Sequence, residues 1–301
     1  MTSGADPPPA GGVTDRELEG VRRAVLAGAA SLWRDLPWRA TRDPWLVLVS
    51  GVMLQETQVP RVLEPFARFA ARFPTPAACA AAGAGEVVRA WAGLGYNRRA
   101  LNLHRTSVVL VERHGGRVPA DLDALEDLPG VGPYTARAVL AFGHGRAVGA
   151  VDTNVGRVLA RAVAGRPLSR AGAQRLADQL VPARDAWRFN QALFDLGACC
   201  CRAREPRCGA CPLASRCRWA RAGGAEPDPA AAGRRRQGVF AGSDRQGRGR
   251  LVASLRLAPV AAPALPAAAG WPDDGPRALR IATALVDEGI ARWHGDALDL
   301  A

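Results

Sequence analysis

The sequence contains no lysine, so all 40 of its basic residues are arginines. Without lysine, no side-chain amine can form a Schiff base with a carbonyl group such as a sugar aldehyde, and only the N-terminal amine remains. We attribute most of the preference for arginine over lysine to a coding bias of the kind found in alanine- and arginine-rich proteomes. The formal net charge of +12 is a separate feature, because an excess of basic residues favours a polyanionic partner, most often nucleic acid.

Long apolar runs are also missing, and none approaches the roughly 20 residues that cross a bilayer. The N-terminal stretch has neither the charged segment nor the apolar core of a signal peptide. Residues 1–13 are rich in proline, glycine and alanine, and we expect them to form a disordered leader. These features predict a cytosolic protein in a reducing compartment, with no membrane partner.

Strand-type alternation is absent before about residue 220, whereas apolar residues recur there at spacings of three and four. Prolines stand at the starts of these segments or in the turns between them. The main body is therefore predicted to be all-α. Besides a first helix from Asp15, its helical segments are predicted at 45–57, 60–72, 84–92, 98–113, 133–142, 153–163, 171–180 and 186–198.

The composition changes after residue 220, and we predict a linker over 221–236. Segment 231–256 contains seven arginines against the single acidic residue Asp244. Further on, Pro276 to Glu288 is amphipathic and precedes two short strands around a His294-Gly295-Asp296 turn. Residues 237–301 are accordingly predicted to form a small, basic, winged-helix-like module, and a disordered basic tail is the alternative.

Four cysteines near the end of the helical body have the spacing C-x6-C-x2-C-x5-C. In a cytosolic chain such a group indicates a metal centre rather than disulfides. Zinc sites usually have two C-x2-C pairs and only one is present, whereas a [4Fe–4S] cluster takes one thiolate per iron and tolerates uneven spacing. The spacing favours the cluster, with the ligands Cys201, Cys208, Cys211 and Cys217. Cys79, Cys199 and Cys200 lie outside the pattern and are interpreted as small buried residues.

The segment L-P-G-V-G-P-Y-T, Leu128 to Thr135, predicts a hairpin between two helices. One helix ends near Glu126 and the next begins at Pro133, whose missing N–H is no loss at the first helical position. The N–H groups of Gly130 and Gly132, helped by the helix dipole, suit a DNA phosphate. Many ordinary helix–helix turns contain the same pattern, so the phosphate interpretation depends on the basic charge around it.

Asp152 stands at the start of an amphipathic helix, in the sequence V-D-T-N-V-G-R. An aspartate at this position is usually only an N-cap. The functional alternative is a carboxylate held ionised at the N-terminal end of the helix and directed at a cationic reaction centre.

The hairpin, the aspartate and the four cysteines occur in the same order in the helix-hairpin-helix DNA glycosylases, and the chain resembles the MutY-type, A/G-specific adenine DNA glycosylases over residues 30–220. The resemblance implies two helical lobes with a flipped-out adenine between them. A cluster lobe is expected from 14–30 and 146–220, and a six-helix barrel with the hairpin from 31–145. Other matching segments are L-P-W-R (36–39), V-M-L-Q-E-T-Q-V (52–59), W-A-G-L-G-Y-N-R-R-A-L-N-L-H (91–104) and F-N-Q-A-L-F-D-L-G-A (189–198).

The resemblance also implies roles for single residues. Asp152 is expected to stabilise the oxocarbenium-like sugar cation as the N-glycosidic bond breaks, with Asn154 ordering the site. Tyr134 stands where bifunctional relatives such as endonuclease III have the Schiff-base lysine, so strand cleavage is not expected, in agreement with the lysine-free composition. The remaining implied DNA- or substrate-binding residues, each with an ordinary interface role as its alternative, are the wedge Tyr96, the adenine reader Gln191 and the pocket residues Arg39 and Leu54.

Gly51 is the main departure from the family. The family motif S-E-V-M-L-Q-Q-T contains a glutamate that acts as general acid on the adenine ring, whereas residues 50–57 read S-G-V-M-L-Q-E-T. Loss of a positioned general acid typically costs about 10²–10⁴ in rate. Glu56 lies on another face of the helix and is not expected to replace it. Glu56 is interpreted instead as a variant of an intercalating glutamine, and its charge should weaken DNA binding.

The C-terminal region is a second departure, because residues 222–301 are too short and too helical for the β-rich domain with which longer members recognise 8-oxoguanine. It resembles the tail of shorter, actinobacterial-type homologues. The leading hypothesis is a monomeric, cytoplasmic and nucleoid-associated bacterial enzyme that removes adenine mispaired with guanine or 8-oxoguanine. The alternatives are a non-catalytic paralogue that binds mismatched DNA, and a glycosylase for thymine or uracil opposite guanine.

Overall fold

The computed structural model describes residues 12–224, 227–230 and 238–301. The predicted leader lies almost wholly outside these ranges, as does the arginine run at 234–236 of the predicted linker. The α-helices of the described ranges are α1 Asp15–Leu32, α2 Pro44–Leu54, α3 Val59–Arg72, α4 Pro76–Ala81, α5 Ala84–Ala90, α6 Arg98–His114, α7 Leu122–Glu126, α8 Pro133–Phe142, α9 Thr153–Val158, α10 Arg170–Leu180, α11 Ala186–Cys199, α12 Arg218–Arg221, α13 Asp244–Leu257, α14 Leu265–Ala269 and α15 Gly275–Asp287. The strands are β1 Val260–Ala261, β2 Ala291–His294 and β3 Ala297–Leu300.

The all-α main body is confirmed, because the first strand of the described residues begins at Val260. The predicted helical segments correspond to α2, α3, α5, α6 and α8 to α11. A π-helical turn, Leu159–Ala164, continues α9 and completes the segment predicted at 153–163. None of the described helices combines the length and the apolarity that crossing a membrane requires.

The described residues form two compact units. The first unit comprises those in 12–44 and 133–230. Its core is apolar and lies among α1, α9, α10 and α11, with fully buried side chains such as Val155, Leu159, Leu180 and Phe189. The helix α1 begins with a capping box between Thr14 and Glu17, and such reciprocal bonds satisfy two N–H groups that the helix itself leaves without partners.

The second unit comprises Trp45–Gly132 and 238–301. Large aromatic side chains fill its core: the rings of Phe69 and Trp91 pack edge to face with centroids 5.9 Å apart. The indole of Trp45 is buried and donates a hydrogen bond of 2.9 Å to the carbonyl oxygen of Phe73, so its one polar atom has a partner.

Residues 238–301, called the C-terminal module below, contain α13, β1, α14, α15, β2 and β3 in that order. The strands form an antiparallel sheet in the order β1-β3-β2, with Trp293 opposite Leu298. The helix α13 has no counterpart among the predicted helices, because its glycines lower helix propensity. One of them, Gly247, is required by packing: a Cβ there would lie 2.0 Å from the ring of Trp271.

Candidate active site and cysteine cluster

Asp152 is the N-cap of α9, and it is half-buried in the first unit. One carboxylate oxygen accepts hydrogen bonds from the backbone N–H groups of Asn154 (2.9 Å) and Val155 (2.7 Å). The other accepts from the side-chain amide of Asn154 at 2.9 Å. Burial raises the pKa of Asp152, and these three hydrogen bonds act in the opposite direction. The carboxylate is thus fixed in direction by three donors on one side.

Asn154 connects this carboxylate to the cysteine region. Its side-chain oxygen accepts a hydrogen bond of 2.8 Å from Arg157. The guanidinium of Arg157 also donates to the carbonyl oxygens of Gly197 (2.9 Å) and Cys201 (2.6 Å). Gly197 allows the close approach of α11 to α9, because a Cβ there would lie 2.9 Å from the Cβ of Asn154. The position of Asp152 therefore depends on the fold of the chain around Cys201.

Tyr134 lies in the first turn of α8, in the same unit as Asp152. Its ring faces Phe194, with the centroids 6.3 Å apart. Burial, and then the negative charge of Asp152, raise the pKa of Tyr134. The phenol consequently keeps its proton at neutral pH and offers a hydrogen-bond donor near the carboxylate.

Two neighbouring side chains of α11 are buried in the first unit, Asn190 and Gln191. Asn190 bonds to the backbone of Val148 and Ala150, which fixes the segment leading to Asp152. No sequence motif predicted this role of Asn190. Gln191, the predicted adenine reader, is 7% exposed.

Arg39, predicted as a pocket residue, is held in a buried ion pair of the first unit. Its guanidinium donates two hydrogen bonds of 2.8 Å to the carboxylate of Asp195, which is fully buried. Arg34 donates to the same carboxylate at 2.5 Å. This bidentate geometry fixes the guanidinium of Arg39 and shows a structural contact that its motif, L-P-W-R, did not predict.

Five cysteines of the first unit line one cavity: the four of the C-x6-C-x2-C-x5-C motif and Cys200. All seven cysteines of the chain are free thiols. The thiol of Cys200 donates to the carbonyl oxygen of Ala210 at 3.6 Å. Burial raises the pKa of Cys211 to about 11. Within the described ranges, no three histidine, cysteine, aspartate or glutamate side chains are arranged as ligands of a single metal ion.

Arg161 is the cationic side chain at this cavity, and it is 2% exposed. It donates to the sulfur of Cys201 at 3.7 Å and to the carbonyl oxygen of Arg202 at 2.7 Å. Its charge is paired with Asp228, through a hydrogen bond of 2.9 Å from Nε. A buried guanidinium at this place stabilises negative charge on the sulfur, and sequence spacing alone did not identify it.

The second unit contains the remaining predicted DNA-binding residues. Gly51 is buried in α2, and Leu54 is half-buried at the end of that helix. Glu56 follows in the turn to α3, exposed and with φ of 53°. A non-glycine residue in the left-handed region is uncommon, and such strain is often found at functional sites.

Tyr96 is the second such residue of this unit, with φ of 46° and 52% of its surface exposed. It lies in the wedge loop, defined here as residues 92–97, between α5 and α6. Arg99 joins this loop to the turn of Glu56: it donates to the carbonyl oxygens of Leu94 (3.2 Å) and Met53 (2.9 Å) and to that of Gln55. Burial lowers the pKa of Arg99 to about 10, so it remains charged at neutral pH.

The hairpin that precedes α8 is fixed by α6. The side chain of Thr106 donates to the carbonyl oxygen of Pro129 at 2.9 Å. Gly130 has φ of 77°, and a Cβ there would lie 2.7 Å from the side chain of Asn102. Glycine is thus required at position 130. At Gly132, by contrast, an added Cβ would have no atom within 4 Å.

Comparison with known proteins first places the chain in a class of repair enzymes. Residues 49–182 match the family model described as HhH-GPD superfamily base excision DNA repair protein. Among solved structures, a thermostable thymine-DNA glycosylase superposes with a TM-score of 0.65 at 30% identity, over 68% of this chain and 97% of that one. The class is that of the helix-hairpin-helix glycosylases of base excision repair.

The relatives narrow this class to one family. The chain is 44% identical to the adenine DNA glycosylase of Mycolicibacterium smegmatis over 269 residues, which are 87% of this chain and 89% of the relative. It is 47% identical to the adenine DNA glycosylase of Mycobacterium tuberculosis over 242 residues, 78% of each chain. The chain belongs to the adenine DNA glycosylase family.

Proposed function

We propose that this protein removes adenine mispaired with guanine or 8-oxoguanine from double-stranded DNA. The observation that carries the proposal is Asp152, whose carboxylate is held by three hydrogen bonds beside a protonated phenol. As the N-glycosidic bond breaks, the sugar becomes cationic, and a preorganised carboxylate stabilises that charge more than it stabilises the uncharged substrate. Asn154 keeps the carboxylate in place, the phenol of Tyr134 lies near it, and Gln191 contacts the flipped base.

The product is proposed to be an intact strand with an abasic site. Tyr134 stands at the family position of the Schiff-base lysine, and a phenol cannot form an imine with the sugar aldehyde. The chain offers no lysine elsewhere that could take over this reaction. Water is therefore the proposed nucleophile at the sugar, and strand breaks should appear only after alkali.

Gly51 is proposed to slow the reaction, because it replaces the general acid that protonates the adenine. Without that acid the proton comes from solvent. We expect the wild-type excision rate to increase about tenfold for each unit of decrease in pH, because the departure of adenine then depends on the concentration of hydronium. The rise should stop where Asp152 becomes protonated, and because its pKa is raised, this occurs at a pH above the ordinary aspartate value of 3.8. Single-turnover rates between pH 4.5 and 8.5 measure this profile.

The control for the pH profile is the same duplex without enzyme, because acid depurinates DNA. A wild-type rate that is constant between pH 6 and 8 would show that another residue of the chain supplies the proton.

The DNA contacts are proposed to come from the turn of Glu56, from Tyr96 and from the glycines Gly130 and Gly132. Tyr96 is proposed as the wedge that enters the base stack, since it is exposed and fixed in a strained conformation. Arg39 and Leu54 remain proposed wall residues of the base pocket. The protein is proposed to act as a monomer on the nucleoid.

The cysteine cavity is proposed to hold a [4Fe–4S] cluster. Four thiols at one cavity, with the guanidinium of Arg161 at one sulfur, provide the donor set and the compensating charge for an anionic cluster. Cys201, Cys208, Cys211 and Cys217 would be the ligands, and the cluster would fix the loop between them. Cys200 is not proposed as a ligand, although it lines the cavity, because its thiol donates to a carbonyl oxygen.

Iron content tests this assignment. Each of the variants Cys201→Ser, Cys208→Ser, Cys211→Ser and Cys217→Ser should lose most of the visible absorbance and iron of the wild type, which should hold about four iron atoms per chain. Cys200→Ser and Cys199→Ser are the matched controls and should keep both. Retention of iron by Cys208→Ser, or its loss from Cys200→Ser alone, would contradict the ligand assignment.

The finer architecture is proposed as well. The C-terminal module is proposed to be a winged helix, and its order of helix, strand, two helices and two strands supports that proposal. The two lobes are proposed at 14–30 with 146–220, and at 31–145, with the linker at 221–236.

A glycosylase for thymine or uracil opposite guanine is the second candidate. Gly51 favours it, because bases that leave more readily than adenine need less acid assistance, and one of the matching solved structures is a thymine-DNA glycosylase. A panel of duplexes with A·8-oxoG, A·G, G·T and G·U, each treated with alkali after incubation, separates the candidates. Cleavage of the A-containing strands alone supports the first function, and tight binding without any cleavage supports a non-catalytic mismatch-binding protein.

A further inference from the structure

The wedge loop has little intrinsic preference for its conformation. Gly93, Gly95 and Tyr96 all have positive φ, at 85°, 69° and 46°. A loop with this backbone samples many conformations when it is isolated, and Tyr96 itself disfavours the left-handed region. Partners outside the loop must therefore hold Tyr96 where it is. Arg99 is one of them, through the bonds described above.

Arg256 is the second partner, and it comes from the C-terminal module. Its Nη2 donates to the side-chain oxygen of Asn97 at 2.7 Å, and its Nε donates to the carbonyl oxygen of Val88 at 3.1 Å. Asn97 directly follows Tyr96 and is 8% exposed. A single guanidinium thus joins the end of α5 to the residue next to the wedge.

The helix that carries Arg256 is firmly fixed within the second unit. Leu251, Val252 and Leu255 of α13 are fully buried. Elsewhere in the C-terminal module, the carbonyl oxygen of Glu288 accepts a hydrogen bond of 3.1 Å from Arg105 of α6. The last residue, Ala301, lies against Gly85 of α5. The module is therefore packed on the helices that flank the wedge loop.

The charges of the C-terminal module do not favour a role in phosphate binding. Residues 244–301 contain seven arginines and seven acidic residues, so their formal charge is zero. Several of these arginines are paired inside the module: Arg248 donates to Glu288 at 2.7 Å, and Arg277 to Asp244 at 2.7 Å. Of the seven arginines in segment 231–256 that suggested a basic tail, three precede residue 238, and the acidic residues of the module balance the charge of the other four.

We propose that the C-terminal module is a brace for the DNA wedge, and that Arg256 is a positioning residue that holds Tyr96 through Asn97. The inference rests on the proposed function, because it takes Tyr96 as the wedge. It assigns the module an indirect contribution to base extrusion.

Base unstacking is the readout that tests the brace. The full-length protein is mixed with a duplex that has 2-aminopurine next to the adenine opposite 8-oxoguanine, and the rise in fluorescence on binding is measured together with single-turnover release of adenine. Arg256→Ala should abolish most of the fluorescence rise and slow release by about 10- to 100-fold, as expected when a reacting group is misplaced. Arg280→Ala, which removes one exposed charge from the same module, should change both by less than twofold.

The Tyr96→Ala background separates positioning from general destabilisation. If Arg256 acts through the wedge, Arg256→Ala should have no further effect in that background. Asn97→Ala should reproduce the defect, and Arg256→Lys should restore part of the rise. If Arg256→Ala does not fold, Asn97→Ala carries the same comparison. The brace proposal would be overturned if Arg256→Ala reduced adenine release equally in the wild-type and Tyr96→Ala backgrounds. A full fluorescence rise in both Arg256→Ala and Asn97→Ala would also overturn it.

The outcomes also distinguish the two proposals. Failure of the wild type to release adenine, with a fluorescence rise that still depends on Arg256, rejects the proposed function and keeps the brace. Normal release by Arg256→Ala rejects the brace alone.

Discussion

Replacement of Asp152 by asparagine is expected to lower the rate of adenine release by about 10²–10³-fold, the usual effect of removing one preorganised electrostatic contact from a transition state. The substitution removes the negative charge and, because an NH₂ group replaces the second oxygen, also the hydrogen bond from the side-chain amide of Asn154. Asparagine is as good an N-cap as aspartate, so α9 should begin at the same residue. The bonds from the N–H groups of Asn154 and Val155 can be kept by the amide oxygen. Single-turnover release from an A·8-oxoG duplex measures the effect.

The matched control for this substitution is Asp185→Asn. Asp185 also precedes a helix of the first unit, α11, but it is exposed and its side chain makes no cap hydrogen bond. Its φ of 64° is a conformation that asparagine tolerates well. Asp185→Asn should release adenine at the wild-type rate. An Asp152→Asn protein that binds duplex normally and also releases adenine at the wild-type rate would refute the role of the carboxylate.

Substitution of Gly51 by glutamate is expected to increase the rate of adenine release at neutral pH by about 10²–10⁴-fold, because it supplies the acid that the family motif has at this position. A mid-helix glycine also costs about 1 kcal/mol relative to alanine, so the helix α2 itself should tolerate the change. The new carboxyl would lie in a buried segment, where burial raises its pKa and favours the protonated form that an acid needs. The rate should also lose its steep dependence on pH.

Gly51→Gln separates acid catalysis from shape. Glutamine has nearly the same volume as glutamate, but its amide cannot act as a general acid. The Gly51→Gln variant should therefore release adenine at a rate within a few-fold of the wild type. Equal rates for Gly51→Glu and Gly51→Gln would mean that position 51 does not supply the acid. A wild type that is already as fast as Gly51→Glu would mean that the chain has another proton donor.

The sequence predicted the local features of the site well, because local chemistry determines them. Pro133 begins α8 and Asp152 caps α9, as their residue types require. The cysteine spacing predicted a common site, and all four of those side chains do line one cavity. Helical periodicity predicted the longer helices of the main body to within a few residues of their bounds, but not the short helices α4 and α12.

Contacts between distant residues were not predictable in the same way. The glycine that argued against a helix at α13 is needed for close packing on Trp271, and a propensity argument counts it only as unfavourable. Arg99 and Arg256 both hold the wedge loop, yet each is one arginine among 40. Arg39 matched a motif, and its bidentate contact with Asp195 became visible only in the structure.

Identification of both products from one reaction tests the central claim most directly. Wild-type protein is incubated with an A·8-oxoG duplex, and the released base and the strand are analysed by mass spectrometry before and after alkali. The account predicts free adenine together with a full-length strand that carries an abasic site and breaks only in alkali. A strand already cut before alkali, or release of thymine or uracil from G·T or G·U duplexes with none of adenine, would contradict it.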